Sequence, residues 1–120
     1  FPVAAKEKLV KKADGWALDI YVFSPRPLDD LLIEPNMPKL TLVVKAKECQ
    51  LAINDKAYVA ASQNRHEATY KELPLLQGWN KVSIKIGERD KNEFSGNFRC
   101  DNRNEFLSSL KVMFVNPEVK

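Results

Sequence analysis

The chain has 120 residues, 44% of them apolar and 29% charged, with a net charge of +3. That length is one domain, 1–120, large enough to bury a single core without metal or disulfide staples. The charge is mild and mixed in sign, which speaks against a nucleic-acid binder with its clustered lysines and arginines, and no apolar run approaches the roughly 20 residues of a membrane span.

The chain begins Phe1-Pro2, as a processed form or a piece of a longer protein would, and its opening FPVAAKEKLVKKADG lacks the apolar stretch of a signal peptide. Residues 1–14 read as a basic, helix-compatible N-terminal extension to a core of 15–116. In WALDIYVFSP, Trp16, Leu18, Ile20 and Val22 share one parity, which predicts a strand stopped by Ser24-Pro25. Four prolines (Pro25, Pro27, Pro35, Pro38) then exclude a long regular element. KLTLVVKAK alternates through Leu40, Leu42, Val44 and Ala46 as a strand with one wet face. CQLAI and KAYVAA flank Asn54-Asp55-Lys56, residues that tolerate the left-handed backbone of a tight turn, so 49–61 reads as a β-hairpin.

SQNRHEATYKE reads as a polar loop. LQGWNKVSIKI gives a turn at Gln77-Gly78 and a strand with Val82, Ile84 and Ile86 inward and Lys81, Ser83 and Lys85 outward. Trp79, one residue before the alternation settles, reads as a structural plug at the end of the core. GERDKNE is a charged turn, FSGNFRCDN a short strand with Phe94, Phe98 and Cys100 on one parity, NRNEFLSSL one helical turn, and KVMFVNP a closing strand with Val112 and Phe114 on one side. Short strands at intervals of roughly ten residues with turns between them predict an all-β fold, an antiparallel sandwich or barrel. Cys49 and Cys100 have no CxxC spacing and a single histidine beside them, which speaks against zinc; one disulfide and two thiols both remain open.

Three stretches in order, CQLAINDKAYV, LPLLQGWNKVSIKI and EFSGNFRCDN, resemble the galactose-binding-like β-sandwich (jelly-roll) domains that accompany polysaccharide-degrading enzymes. The resemblance covers residues 15–116, is strongest at GWNKV, and departs at Asp55, where those domains often carry glycine. It implies a jelly-roll sandwich and a secreted or extracellular carbohydrate-binding module that holds a parent glycoside hydrolase or lyase near its polysaccharide. The alternatives are a structural accessory domain packed on a catalytic domain of the same chain, and a protein-interaction domain of a surface assembly. No binding motif carries over, because the loops of such domains vary.

Enzyme chemistry finds no support. There is one histidine, no Gly-x-Ser-x-Gly elbow and no phosphate-cradling glycine loop, and the carboxylates fall in polar turns such as ERDKNE, without apolar surroundings to raise a pKa. No cofactor is expected. A structural calcium ion is compatible with the oxygen donors Asp90, Asn92 and Glu93, or Asp101, Asn102 and Asn104, although no spacing rule selects either set. For a sugar, aromatic faces and hydrogen-bonding loops are needed. Tyr58 and Tyr70 flank the polar loop, whereas Trp16 has core parity and Tyr21 the opposite one. The expected binding residues are Tyr58, Arg65, His66, Arg89, Asn102 and Arg103, a basic patch if the turns at 62–71, 87–93 and 101–105 share one end, with arginine forks matched to the sulfate or carboxylate of an anionic, sulfated or uronic polysaccharide.

Overall fold

The computed structural model describes residues 2–3, 6–28, 38–100 and 104–117, and it is an all-β antiparallel sandwich. One sheet contains β1 (Val10–Lys12), β2 (Gly15–Ser24), β4 (Cys49–Ile53), β5 (Lys56–Tyr58), β8 (Gly78–Gly87) and β10 (Lys111–Met113). Its order is β1-β2-β8-β4-β5, and β10 pairs with β2 further along that strand from β1. The other sheet is β6 (Ser62–Gln63), β7 (Ala68–Leu73), β3 (Leu40–Lys45) and β9 (Ser95–Cys100), in that order.

The alternation read from the sequence sets the inner faces. Leu18, Ile20 and Val22 of β2 and Val82, Ile84 and Ile86 of β8 meet Leu40, Leu42 and Val44 of β3 and Phe98 of β9 in one buried cluster. Each such side chain contributes roughly 1.5–3 kcal/mol by leaving water. The hairpin turn forms as expected. Asn54 and Asp55 both have positive φ, 50° and 68°, the pair of left-handed residues that matches the twist of two antiparallel strands. Gly78 has φ 95°, a backbone that side chains rarely adopt, at the turn predicted there. Gly15 answers a different constraint, since a Cβ on it would collide with the carbonyl oxygen of Ile86 on the paired strand.

Three expectations are corrected. The opening is no helical extension: after a short 3-10 turn at Lys6–Lys8, β1 pairs with β2, Val3 and Leu9 are buried, and the Val3 N–H donates to Gly96 O on β9 (2.9 Å). Segment 62–72 is not one continuous loop: around a short loop at 64–67 it holds β6 and most of β7. There Lys71 and Glu72 together oppose Thr41, a bulge that Glu72 accommodates with φ 54°, and this break in alternation hid the strand. Tyr70 is therefore a core residue at 2% exposure.

Trp79 does not plug the core. It is half-buried on the outer face, and Asn80 is the residue that turns inward, at 1% exposure. A buried amide is tolerated because every polar atom is satisfied. Asn80 Oδ1 accepts from the Leu76 N–H (2.8 Å) and Asn54 Nδ2 (2.9 Å), while its Nδ2 donates to Leu76 O (2.8 Å) and Gly78 O (3.1 Å). The helical turn expected in NRNEFLSSL is a 3-10 helix, Asn104–Ser109, and the closing strand forms at β10. Cys49 and Cys100 are not joined by a disulfide; Cys49 is half-buried and Cys100 buried, on different sheets. Burial pushes the Cys49 thiol above its ordinary value, so it stays protonated and inert at neutral pH.

Candidate functional site

Two of the loops singled out by sequence, at 64–67 and 88–90, come to one end of the sandwich. Gly15, Gly87 and Cys49 mark one end, and the register of β3 and β7 puts Lys45 and Ala68 at the same end. The 64–67 loop is built rigidly there. Asn64 Oδ1 accepts from the His66 N–H (2.7 Å) and the Glu67 N–H (2.9 Å), and Gln63 Nε2 donates to Asn64 O (2.7 Å) and reaches Lys47 O (3.3 Å). Arg65 and His66 are exposed on that loop.

Arg89 is exposed on the adjoining turn, which Asp90 ties down. The Asp90 carboxylate accepts from the backbone N–H groups of Lys47 (2.8 Å), Glu48 (3.1 Å) and Gly87 (3.0 Å). That is a structural clamp of charge-assisted bonds, and it engages the same oxygens that calcium would need. Among the described residues no group of three acidic, histidine or cysteine side chains is placed to hold a metal. Arg65, His66 and Arg89 thus share an end, on the two sides of segment 46–48.

Tyr58 is elsewhere. It pairs with Leu51 on the edge strand β5, faces inward half-buried against the core, and has Lys56 Nζ 5.5 Å from its ring centroid. Asp101, Asn102 and Arg103 lie outside the described residues; Cys100, which precedes them, pairs with Leu40 at the opposite end from Arg65. At the Arg89 end, Asp14, Glu48, Gln50 and Lys85 line a depression of about 80 Å³. That is well below the ~300 Å³ of ordinary ligand pockets, and an ion pair between Lys85 Nζ and Asp14 (2.9 Å) crosses it.

A different constellation appears on the outer face of the six-stranded sheet. Phe23 of β2 lies opposite both Trp79 of β8 and Lys111 of β10, and Tyr21 lies opposite both Lys81 of β8 and Met113 of β10. Two adjacent rows result, Lys111–Phe23–Trp79 and Met113–Tyr21–Lys81. All six share the outward parity, because Ile20, Val22 and Val82 between them point into the core. Phe23 and Trp79 meet edge to face, with centroids 5.4 Å apart and planes at 66°. Lys111 Nζ stands 5.5 Å from the Phe23 centroid, and Lys81 Nζ is 3.8 Å from Asp55. The rings are half-buried and Met113 is 41% exposed.

The other tryptophan is already occupied. Trp16 Nε1 donates to Glu88 O (3.2 Å), and Lys91 Nζ lies 4.0 Å from its ring centroid. Parity would have found the outer rows, since Tyr21, Phe23 and Trp79 are all on the odd, outward positions of their strands. What no single stretch reveals is the register that lines them up.

Comparison with protein-family models, curated proteins and solved structures gives no match. Fold and surface therefore define the class alone: an antiparallel β-sandwich with a cross-strand aromatic and lysine cluster on the outer face of its larger sheet. Among the described residues, no helix is long and apolar enough to cross a membrane.

Proposed function

We propose that this domain is a non-catalytic carbohydrate-binding module, which holds a parent glycoside hydrolase or lyase against its polysaccharide outside the cell. The observation that supports the reading is the Tyr21, Phe23 and Trp79 cluster on the outer sheet face. Folding does not require three partly exposed rings there. Such rings offer apolar faces to the C–H side of a sugar, and neighbouring polar groups fix its orientation. The strands hold the rings more precisely than loops would. Attachment to a polymer raises the local concentration of a linked enzyme without any new contact. The arginine-bearing loops at 64–67 and 88–90 form a secondary surface in this reading.

Binding of the full chain to a panel of plant, algal and bacterial polysaccharides, by affinity electrophoresis or calorimetry, tests it. Trp79→Ala and Tyr21→Ala should each weaken binding about tenfold or more with folding intact by circular dichroism, and Arg65→Ala and Arg89→Ala should leave it close to wild type. Absence of binding to every polymer, or loss caused by the loop arginines alone, overturns it.

A second reading has its own observation. Met113 and, two residues on, Val115 at 70% exposure add aliphatic surface beside or after β10. An accessory domain that packs this face on a catalytic domain would use such surface. Its signature would be a stable complex with the parent enzyme, abolished by Met113→Asp, and no affinity for polysaccharide.

A further inference from the structure

Resting on the reading of the aromatic rows as a sugar-binding face, we infer that the ligand is a negatively charged polysaccharide, with Lys81 and Lys111 taking its carboxylate or sulfate groups. The register fixes the layout. Lys111 begins one row and Lys81 ends the other, so the two stand at diagonal corners of the patch with Phe23 and Tyr21 between them. Two strand spacings across and two residues along place their backbones about 12 Å apart. A sugar stacked on the rings is therefore within reach of an ammonium at either corner.

Among the described residues, the charged side chains on the two rows themselves are both lysines. Lys111 stands over the Phe23 ring, and among the described residues no carboxylate pairs with it. Lys81 has Asp55 at 3.8 Å, but Asp55 is 86% exposed, and an open pair of that kind holds its partner weakly enough for a ligand anion to exchange into it. The next outward acid on β2 is Asp19, one row beyond Tyr21 and opposite Ser83. An ammonium beside a ring also keeps its cation near the apolar surface, where water screens an incoming anion less. A neutral glycan would gain from the rings alone and leave both cations unused.

The test pairs each charged polymer with a neutral counterpart: polygalacturonate with its methyl ester, and carrageenan with agarose, titrated with the full chain. At least one charged polymer should bind about tenfold or more tightly than its counterpart at low salt, with the preference shrinking toward about 0.15 M salt. Lys81→Gln and Lys111→Gln should each weaken the charged polymer about fivefold and leave the neutral one unchanged. Lys45→Gln and Lys71→Gln, on the other sheet, separate a site from the general attraction of a basic protein and should change nothing. Equal affinity for charged and neutral polymers, or equal losses from the control lysines, overturns the inference while leaving sugar binding at the rings in place. Failure to bind any polymer overturns the underlying reading, and this inference with it.

Discussion

The two outer faces of the sandwich differ more than the two inner ones. Inside, the six-stranded sheet presents Leu, Ile and Val and the four-stranded sheet Leu, Val, Tyr and Phe, so that, Asn80 apart, both faces are apolar. Outside, the four-stranded sheet pairs mostly polar residues: Thr41 opposite Arg99, Lys45 opposite Ser95, and Thr69 opposite Val43, itself opposite Asn97, with Thr41 and Thr69 themselves covered at 5% and 9% exposure. The six-stranded sheet has Phe23 against Trp79 and Tyr21 against Lys81 and Met113 at the corresponding outward positions. Hydrophobic burial accounts for the inner residues other than Asn80 and only in part for these half-buried rings, because a sheet face toward solvent is stable without aromatics. A surplus of aromatic surface is the more informative observation on a small domain, and the contrast between the sheets locates it on one side only.

The largest effects belong to the inner faces. Ile84, 1% exposed at the centre of β8, should lose about 3 kcal/mol or more of stability as Ile84→Ala, through lost transfer energy and the cavity left behind. Denaturant unfolding measures it. The same truncation at Leu42, fully buried on the facing sheet, should cost a similar amount, and a large asymmetry between the two would show that the inner faces are not equivalent.

Next comes Asn80. Asn80→Ala removes the acceptor of the Leu76 N–H and the donor to Leu76 O and Gly78 O at a buried site, so it should cost about 2–3 kcal/mol. Asn80→Asp should cost at least as much, because a carboxylate cannot donate to those two carbonyls and would be buried with a charge. If both variants melt like wild type, the amide does not anchor this end of the sheet.

The pairing of Asn80 with Trp79 also shows what was legible in the sequence and what was not. The strand at Val82, Ile84 and Ile86 fixes a parity, and extending it back two residues puts Asn80 in and Trp79 out. Chemical intuition about size and polarity suggests the reverse, and it fails because the amide meets its hydrogen-bond partners locally. The alternation of β2 and β3 and the Asn54-Asp55 turn were readable because each is written in one continuous stretch. Strand β7 was not, since the bulge at Lys71 and Glu72 breaks the period and places charged residues where alternation would be sought. The candidate site was the least legible. The Arg65, His66 and Arg89 loops could be picked out by composition, but that Tyr58 faces inward on an edge strand, and that Phe23 meets Trp79, are facts of register between distant segments.

A direct comparison of the outer faces uses one truncation on each. Trp79→Ala loses an edge-to-face contact and partial burial, about 1 kcal/mol. Val43→Ala, half-buried at the middle of the other sheet, should cost about as much. Only the first should weaken polysaccharide binding, by about tenfold or more. Equal effects on binding would mean that the affinity depends on the stability of the sandwich rather than on the rings.

The smallest effects come from two lysines of β8 that differ in their partners. Lys85 donates to Asp14 at 2.9 Å, whereas Lys81 reaches Asp55 only at 3.8 Å. The hydrogen bond and charge of Lys85 hold the Asp14 carboxyl below its ordinary value of 3.8. A lowered folded-state pKa means that the pair stabilises the fold above the ordinary value and stops doing so as the pH falls through the lowered one. Asp14→Asn, which lacks the pair at every pH, should therefore melt slightly below wild type at neutral pH, and the gap should close in acid and narrow with salt. Both residues are far enough from the aromatic rows, four strand positions along β8, for binding to stay unchanged. Asp55→Asn is the converse case. Asparagine accepts the left-handed backbone of that turn as readily as aspartate does, so stability should hold. Removing the competing carboxylate should strengthen the binding of a charged polysaccharide by about twofold, and weaker binding would place the anion somewhere other than Lys81.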